Sequence, residues 1–160
     1  MDKFRRRTYP GPGSLLRDVR AIVADRGLLR VTMRGGLDPA FRERLMLVVT
    51  GVNGCRYCSY AHARQALAEG LSPEEIARLG DGTLEGSPTG EIPALLYAQH
   101  WAETDGAPDP EARAAVQKAY GDETLARIEI VLRVIRVGNL LGNTWDYLLH
   151  RITFGRFGGA

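Results

Sequence analysis

Apolar residues return every three or four positions along most of this chain, the spacing of one helix face after another. Leu15, Leu16, Val19, Ile22 and Val23 trace the first stripe, with Ser14 as a candidate N-cap and Gly27 as its stop. Leu29, Val31 and Met33 alternate as in a strand, but the run is isolated and reads as irregular chain or a last helical turn. The next stripe is Phe41, Leu45, Val48, Val49 and Val52, opened by Asp38-Pro39 and closed by Asn53-Gly54. Met46 and Leu47 widen it, so its later half is expected deep in the core. A third helix is predicted from near Cys55 to Glu69. A fourth follows from the Ser72-Pro73-Glu74-Glu75 start to Gly80. After a loop, helices are expected from about Glu91, from Asp109-Pro110 to Gly121, and from Asp122 to about Ile152. Gly138 and Gly142, four apart in the last, thin one face and permit close packing. The pattern predicts an all-α fold, a single helical domain of roughly six or seven helices.

Composition narrows the setting. In 160 residues, hydrophobic residues are 44% and charged residues 25%, the balance of a soluble globular domain that needs no covalent staples. A net charge of +2 gives no strong pull towards nucleic acid or membrane. The basic excess is partly local: Lys3, Arg5, Arg6 and Arg7 precede Pro10-Gly11-Pro12-Gly13. Residues 1–13 are therefore expected to be a flexible basic arm, residues 14–154 the helical domain and residues 155–160 a loose tail. The basic start is not followed by the apolar run of a signal peptide, and no apolar stretch approaches the ~18 residues of a membrane span. A cytoplasmic location is expected, where thiols stay reduced and a structural disulfide is out of place.

That makes the stretch "NGCRYCSYAH" conspicuous. It holds both cysteines, Cys55 and Cys58, and one of three histidines, His62. At the start of a helix, free backbone N–H groups stabilise a thiolate, and Arg56 between the cysteines adds positive charge. Residues three apart share a helix face, so the sulfurs can meet. His62, four after Cys58, can take a proton from it or hold its thiolate as an ion pair. Zinc would need a fourth ligand or an open water position, and His100 and His150 come without ligand partners in sequence. Two inert core cysteines are the other alternative. A redox-active dithiol fits the spacing better than either. Glu43 precedes a mostly apolar stripe of Met46, Leu47 and Thr50, where burial would raise its pKa towards that of a useful base; an exposed, dipole-favoured Glu is the alternative. Tyr57 and Tyr60 flank Cys58 as pocket lining or as ordinary aromatic packing, and Trp101, Trp145 and Tyr147 read as core or subunit contacts.

The run from Glu43 to His62, "ERLMLVVTGVNGCRYCSYAH", resembles the signature of the carboxymuconolactone decarboxylase superfamily, in its alkylhydroperoxidase D-like branch. The likeness is specific over residues 43 to about 80. It implies an all-helical fold assembled as a homo-oligomer (dimer, trimer or hexamer) and a thiol peroxidase or disulfide reductase. Carried over by position, Cys58 attacks a hydroperoxide, Cys55 resolves the sulfenic acid to a disulfide, and His62 with Glu43 forms the proton relay. The implied reductant is a thioredoxin-like or lipoyl-bearing protein; no flavin, haem or metal cofactor is implied. Where the best-known members of the branch have a His before the second cysteine, this chain has Tyr57, which leaves one relay arm open. Two rival functions stand beside this one. One is a decarboxylase-type enzyme using Glu43 and His62 on a small carbonyl or lactone; the other is a non-enzymatic redox-sensing oligomer.

Overall fold

The computed structural model describes residues 6–158. Residues 1–5 and 159–160 lie outside it, and with them the first part of the arm expected over 1–13 and the end of the tail expected over 155–160. Among the described residues there are seven α-helices and no strand: α1 Pro12–Ala24, α2 Arg26–Val31, α3 Pro39–Asn53, α4 Arg56–Ala68, α5 Pro73–Gly80, α6 Ile92–Glu103 and α7 Pro110–Ile152. None of them is long and apolar enough to cross a membrane.

α3 is the axle of the domain. Asp38 caps it by accepting from the backbone N–H of Phe41 at 2.9 Å, and Pro39 occupies the first turn. From Leu45 to Thr50 every side chain is buried, so the helix has no solvent face and packs against α4, α5, α6 and α7. The core is completed by Leu79 of α5, by Leu95 and Ala98 of α6, and by Leu125, Ile128, Val131 and Leu132 of α7.

One boundary differs from the sequence reading, and two other stretches follow it. α1 begins at Pro12 rather than after Ser14, because proline fits the first turn and Gly11 takes the cap position; Ser14 Oγ donates back to Gly11 O at 2.7 Å. The ambiguous run at Leu29–Met33 is helical: α2 passes into a single π-turn over Thr32–Gly36. The two helices expected on either side of Gly121 are present as the two segments of α7: Gly121, at φ 79° and ψ 167°, breaks the helix, and the second segment starts at once.

α1 and α2 are the outliers in packing. Neither holds a buried residue, and Leu16, Val19, Val23 and Val31 remain exposed. The described part of the N-terminal segment runs back along the body of the fold. Arg6 pairs with Asp146, Arg7 donates to the carbonyls of Ala102 and Glu103, and Tyr9 N donates to Thr144 Oγ1 at 3.1 Å.

Candidate active site

The turn between α3 and α4 builds the site. Gly54 ends α3 with φ 70°, a left-handed conformation that glycine accepts without strain. The chain then extends through Cys55, which occupies the N-cap position of α4. Its sulfur accepts from Cys58 N at 3.4 Å, doing what a Ser or Asp oxygen does at other helix starts. One turn on, Cys58 Sγ lies 3.0 Å from Cys55 Sγ, both cysteines being free thiols. Cys55 is wholly buried and Cys58 half-buried.

The two sulfurs titrate as one unit. Cys55 is lowered to about 6, chiefly by the hydrogen bond from the Cys58 thiol; burial opposes this, and the N–H groups of Cys58 and Tyr57 assist it. Cys58 is pushed up, first because it is the donor to Cys55 and then by burial, while a hydrogen bond with Asn139 acts the other way. The first proton therefore leaves easily and the second is held.

α7 supplies the opposite wall. A Cβ at Gly142 would sit 2.9 Å from Cys55 Sγ and 3.4 Å from a Tyr57 ring carbon, and one at Gly138 would sit 3.8 Å from Cys58 Sγ. The glycine pair read in sequence as a packing device thus makes room for the dithiol itself. Between them Asn139, fully buried, donates to Thr50 Oγ1 and accepts from Asn53 Nδ2, both at 3.1 Å; Asn143 donates to Asn53 O at 2.8 Å. These bonds tie the end of α3 to α7, so the turn that carries Cys55 is fixed from both sides.

Glu43, three turns back on α3, is 1% exposed and faces α4. Its Oε2 lies 2.8 Å from His62 Nδ1, and its Oε1 accepts from Arg42 Nε at 3.3 Å. A carboxylate there accepts a hydrogen bond from Nδ1–H and so leaves Nε2 as the ring nitrogen without the hydrogen. No hydrogen bond among the described residues joins His62 directly to either sulfur.

Tyr57 points elsewhere. Its hydroxyl donates to Asp146 Oδ1 at 2.7 Å and accepts from Arg56 Nη2 at 3.0 Å, while Arg56 Nη2 also reaches Asp146 Oδ1 at 2.8 Å. The phenol is thus committed to α7 rather than to the sulfurs. Tyr60 and Trp145 are exposed, whereas Trp101 is core. A cavity of about 410 Å³ between α1, α6 and α7, lined by Arg17, Asp18, Trp101, Asp105, Arg133 and Arg136, touches neither cysteine. No three His, Cys, Asp or Glu side chains among the described residues are grouped to hold a metal ion.

Sequence reasoning missed Asn139, Asn143 and Asp146. Their signal was present: polar residues four and three apart, on the stripe that carries Gly138 and Gly142, inside an otherwise apolar helix.

Comparison with known proteins bears on the family. A 48-residue segment of the chain is 38% identical to alkyl hydroperoxide reductase AhpD of Corynebacterium aurimucosum, a match covering 30% of this chain and 27% of that protein. The model of the carboxymuconolactone decarboxylase family matches residues 19–104, more than half of the sequence and all of α3 and α4. This chain belongs to the carboxymuconolactone decarboxylase family, within the superfamily it shares with AhpD-like proteins.

Proposed function

We propose that this chain is a thiol-dependent peroxidase or disulfide reductase that cycles Cys55 and Cys58 between dithiol and disulfide. The observation that carries the reading is the 3.0 Å approach of the two sulfurs at a helix N-terminus. Closure to the ~2.05 Å of an S–S bond needs a shift of about 1 Å.

Cys58 is the attacking sulfur because it is the one open to solvent. The charge that settles on Cys55 passes to Cys58 when the shared proton crosses between the sulfurs. The Cys58 thiolate attacks one oxygen of a hydroperoxide and the O–O bond breaks. The departing alkoxide takes a proton from the His62–Glu43 pair, directly or through water, giving an alcohol and Cys58 sulfenic acid. The Cys55 thiol then attacks the sulfenic sulfur, forming the disulfide and releasing water. A dithiol carrier, thioredoxin-like or lipoyl-bearing, returns two electrons and two protons. A centre that must be re-reduced in this way suits the cytoplasm.

Assembly as a homo-oligomer is part of the proposal. Leu141, Trp145, Leu148 and Ile152 are exposed at a four-three-four spacing on α7, an unpartnered apolar stripe of the kind that a second copy covers.

The direct test is hydroperoxide consumption by the purified chain with a dithiol reductant. Wild type should turn over, Cys58→Ser should not, and Cys55→Ser should stall at a trappable sulfenic acid. The buried Glu43–His62 pair also supports the decarboxylase-type reading on a small carbonyl or lactone. Activity on such a substrate that survives Cys55→Ser with Cys58→Ser would select it. A change of oligomer size with reductant, and no turnover, would select a redox sensor.

A further inference from the structure

Asp146 is wholly buried on α7, yet the proton relay has no use for it. One carboxylate oxygen accepts from Tyr57 Oη at 2.7 Å and from Arg56 Nη2 at 2.8 Å; the other pairs with Arg6. Arg56 and Tyr57 are the two residues between the cysteines. One turn earlier on the same helix, Gly142 lies against Cys55 Sγ. Arg6 comes from the N-terminal segment and packs beside Gly54, the residue before Cys55. A single buried charge thus collects every residue that brackets the first cysteine, from three separate parts of the chain.

We propose that Asp146 is the positioning residue of the dithiol: it clamps the Arg56-Tyr57 turn onto α7 and, by its charge, sets how readily Cys55 and Cys58 hold a thiolate and how easily their disulfide is reduced. The proposal rests on the reading of these cysteines as the reactive pair, but not on hydroperoxide being the substrate.

The physics separates clamp from charge. Among the described residues, the charged and titratable groups around Cys55 are Cys58, Arg56 and Tyr57 from α4, Asp146 from α7, and Arg6 from the N-terminal segment. Asp146 is the one anion among them and works against the thiolate; Arg6 and Arg56 partly cancel it. Exchanging its carboxylate for an amide of the same shape removes that anion from beside the sulfurs. The thiolate then gains and, because it belongs to the reduced form, the disulfide becomes easier to reduce. The Tyr57 hydroxyl donates to Asp146 Oδ1, so removing it acts on the sulfurs through Asp146, whose oxygen loses a donor and whose field on Cys55 grows.

The experiment follows the pair and not turnover. The midpoint of thiolate ultraviolet absorbance is measured against pH in the reduced chain. The dithiol–disulfide ratio is measured in dithiothreitol buffers, where the dithiol of dithiothreitol becomes its cyclic disulfide as the protein disulfide becomes dithiol. Asp146→Asn should move the midpoint down, raising the thiolate-to-thiol ratio about three- to tenfold at fixed pH, with the redox ratio shifting towards dithiol. Tyr57→Phe should move the midpoint up, about twofold in the same ratio, and that shift should vanish in the Asp146→Asn background. Glu123→Gln, an exposed carboxylate on the same helix, should change neither.

A purely structural Asp146 would lower the melting temperature of its variants and leave both midpoint and redox ratio at wild-type values, which overturns the proposal. So do shifts of the two variants in the same direction. Should Asp146→Asn fail to fold, Tyr57→Phe decides by itself, since its side chain is half-exposed: an upward shift supports the proposal and an unchanged midpoint overturns it.

Discussion

Two buried carboxylates flank the dithiol, and their partners make them opposites. Glu43, on α3, faces a single imidazole, with its Oε2 2.8 Å from His62 Nδ1. Asp146, on α7, is held by two guanidinium groups, Arg6 and Arg56, and by the Tyr57 hydroxyl. In the proposed function the first pair carries a proton, while the second fixes a charge and a geometry. The lesson is that burial alone does not mark a catalytic acid or base. What matters is the kind of group placed opposite it.

The comparison breaks most visibly at the relay. Glu43→Gln leaves His62 without a carboxylate to orient and charge it, and should lower kcat about a hundredfold or more, with both thiols still present by titration. Asp146→Asn, assayed alongside it, should retain turnover to within about tenfold while shifting the thiolate midpoint. If the two variants lost turnover equally, the distinction between proton carrier and fixed charge would be gone.

Packing at the sulfurs gives the next effect. Gly142→Ala drives a methyl to 2.9 Å from Cys55 Sγ, and should destabilise the reduced chain by about 1–3 kcal/mol in urea unfolding while slowing disulfide formation. Stability like that of the wild type would mean that α7 does not press on the pair.

The smallest effect is pH-linked stability. Cys55 sits at about 6 in the folded chain against an ordinary 9.0, so its contribution is complete above the ordinary value and is lost as pH falls through 6. Cys58 is shifted upward and works the other way above the ordinary thiol value. The reduced chain should therefore gain stability between pH 6 and 9 and lose it beyond, relative to the disulfide form, which has no thiol to titrate. Parallel melting curves of the two forms across that range would remove the linkage.

Much of this was legible in the sequence, and the reason is locality. The caps at Asp38 and Ser72 fixed α3 and α5, because a cap is read within four residues. Cys55, Cys58 and His62 lie on one helix, so their spacing already fixed their common face. Glu43 needed the packing angle of α3 on α4, which periodicity does not encode; the family resemblance pointed to it. Tyr57 was read as a missing relay arm or a pocket wall, and its hydroxyl goes to Asp146, a partner 89 residues away. Gly142 was read as a packing glycine without its target, and Asp146 and Asn139 were passed over as polar residues in an apolar helix: nothing local says which face of a long helix will meet a cysteine pair so distant in the chain. Arg56 was recognised as a cation beside the sulfurs, but not as one arm of a buried cluster.

The central claim is that Cys55 and Cys58 form a reactive pair, and counting thiols tests it most directly. Reduced, desalted chain is treated with one equivalent of hydroperoxide in the absence of reductant, and free thiols are titrated under denaturing conditions before and after. The account expects two thiols per chain to fall to none, with an intramolecular disulfide between Cys55 and Cys58 recovered by peptide mapping. Two thiols remaining after peroxide would contradict it.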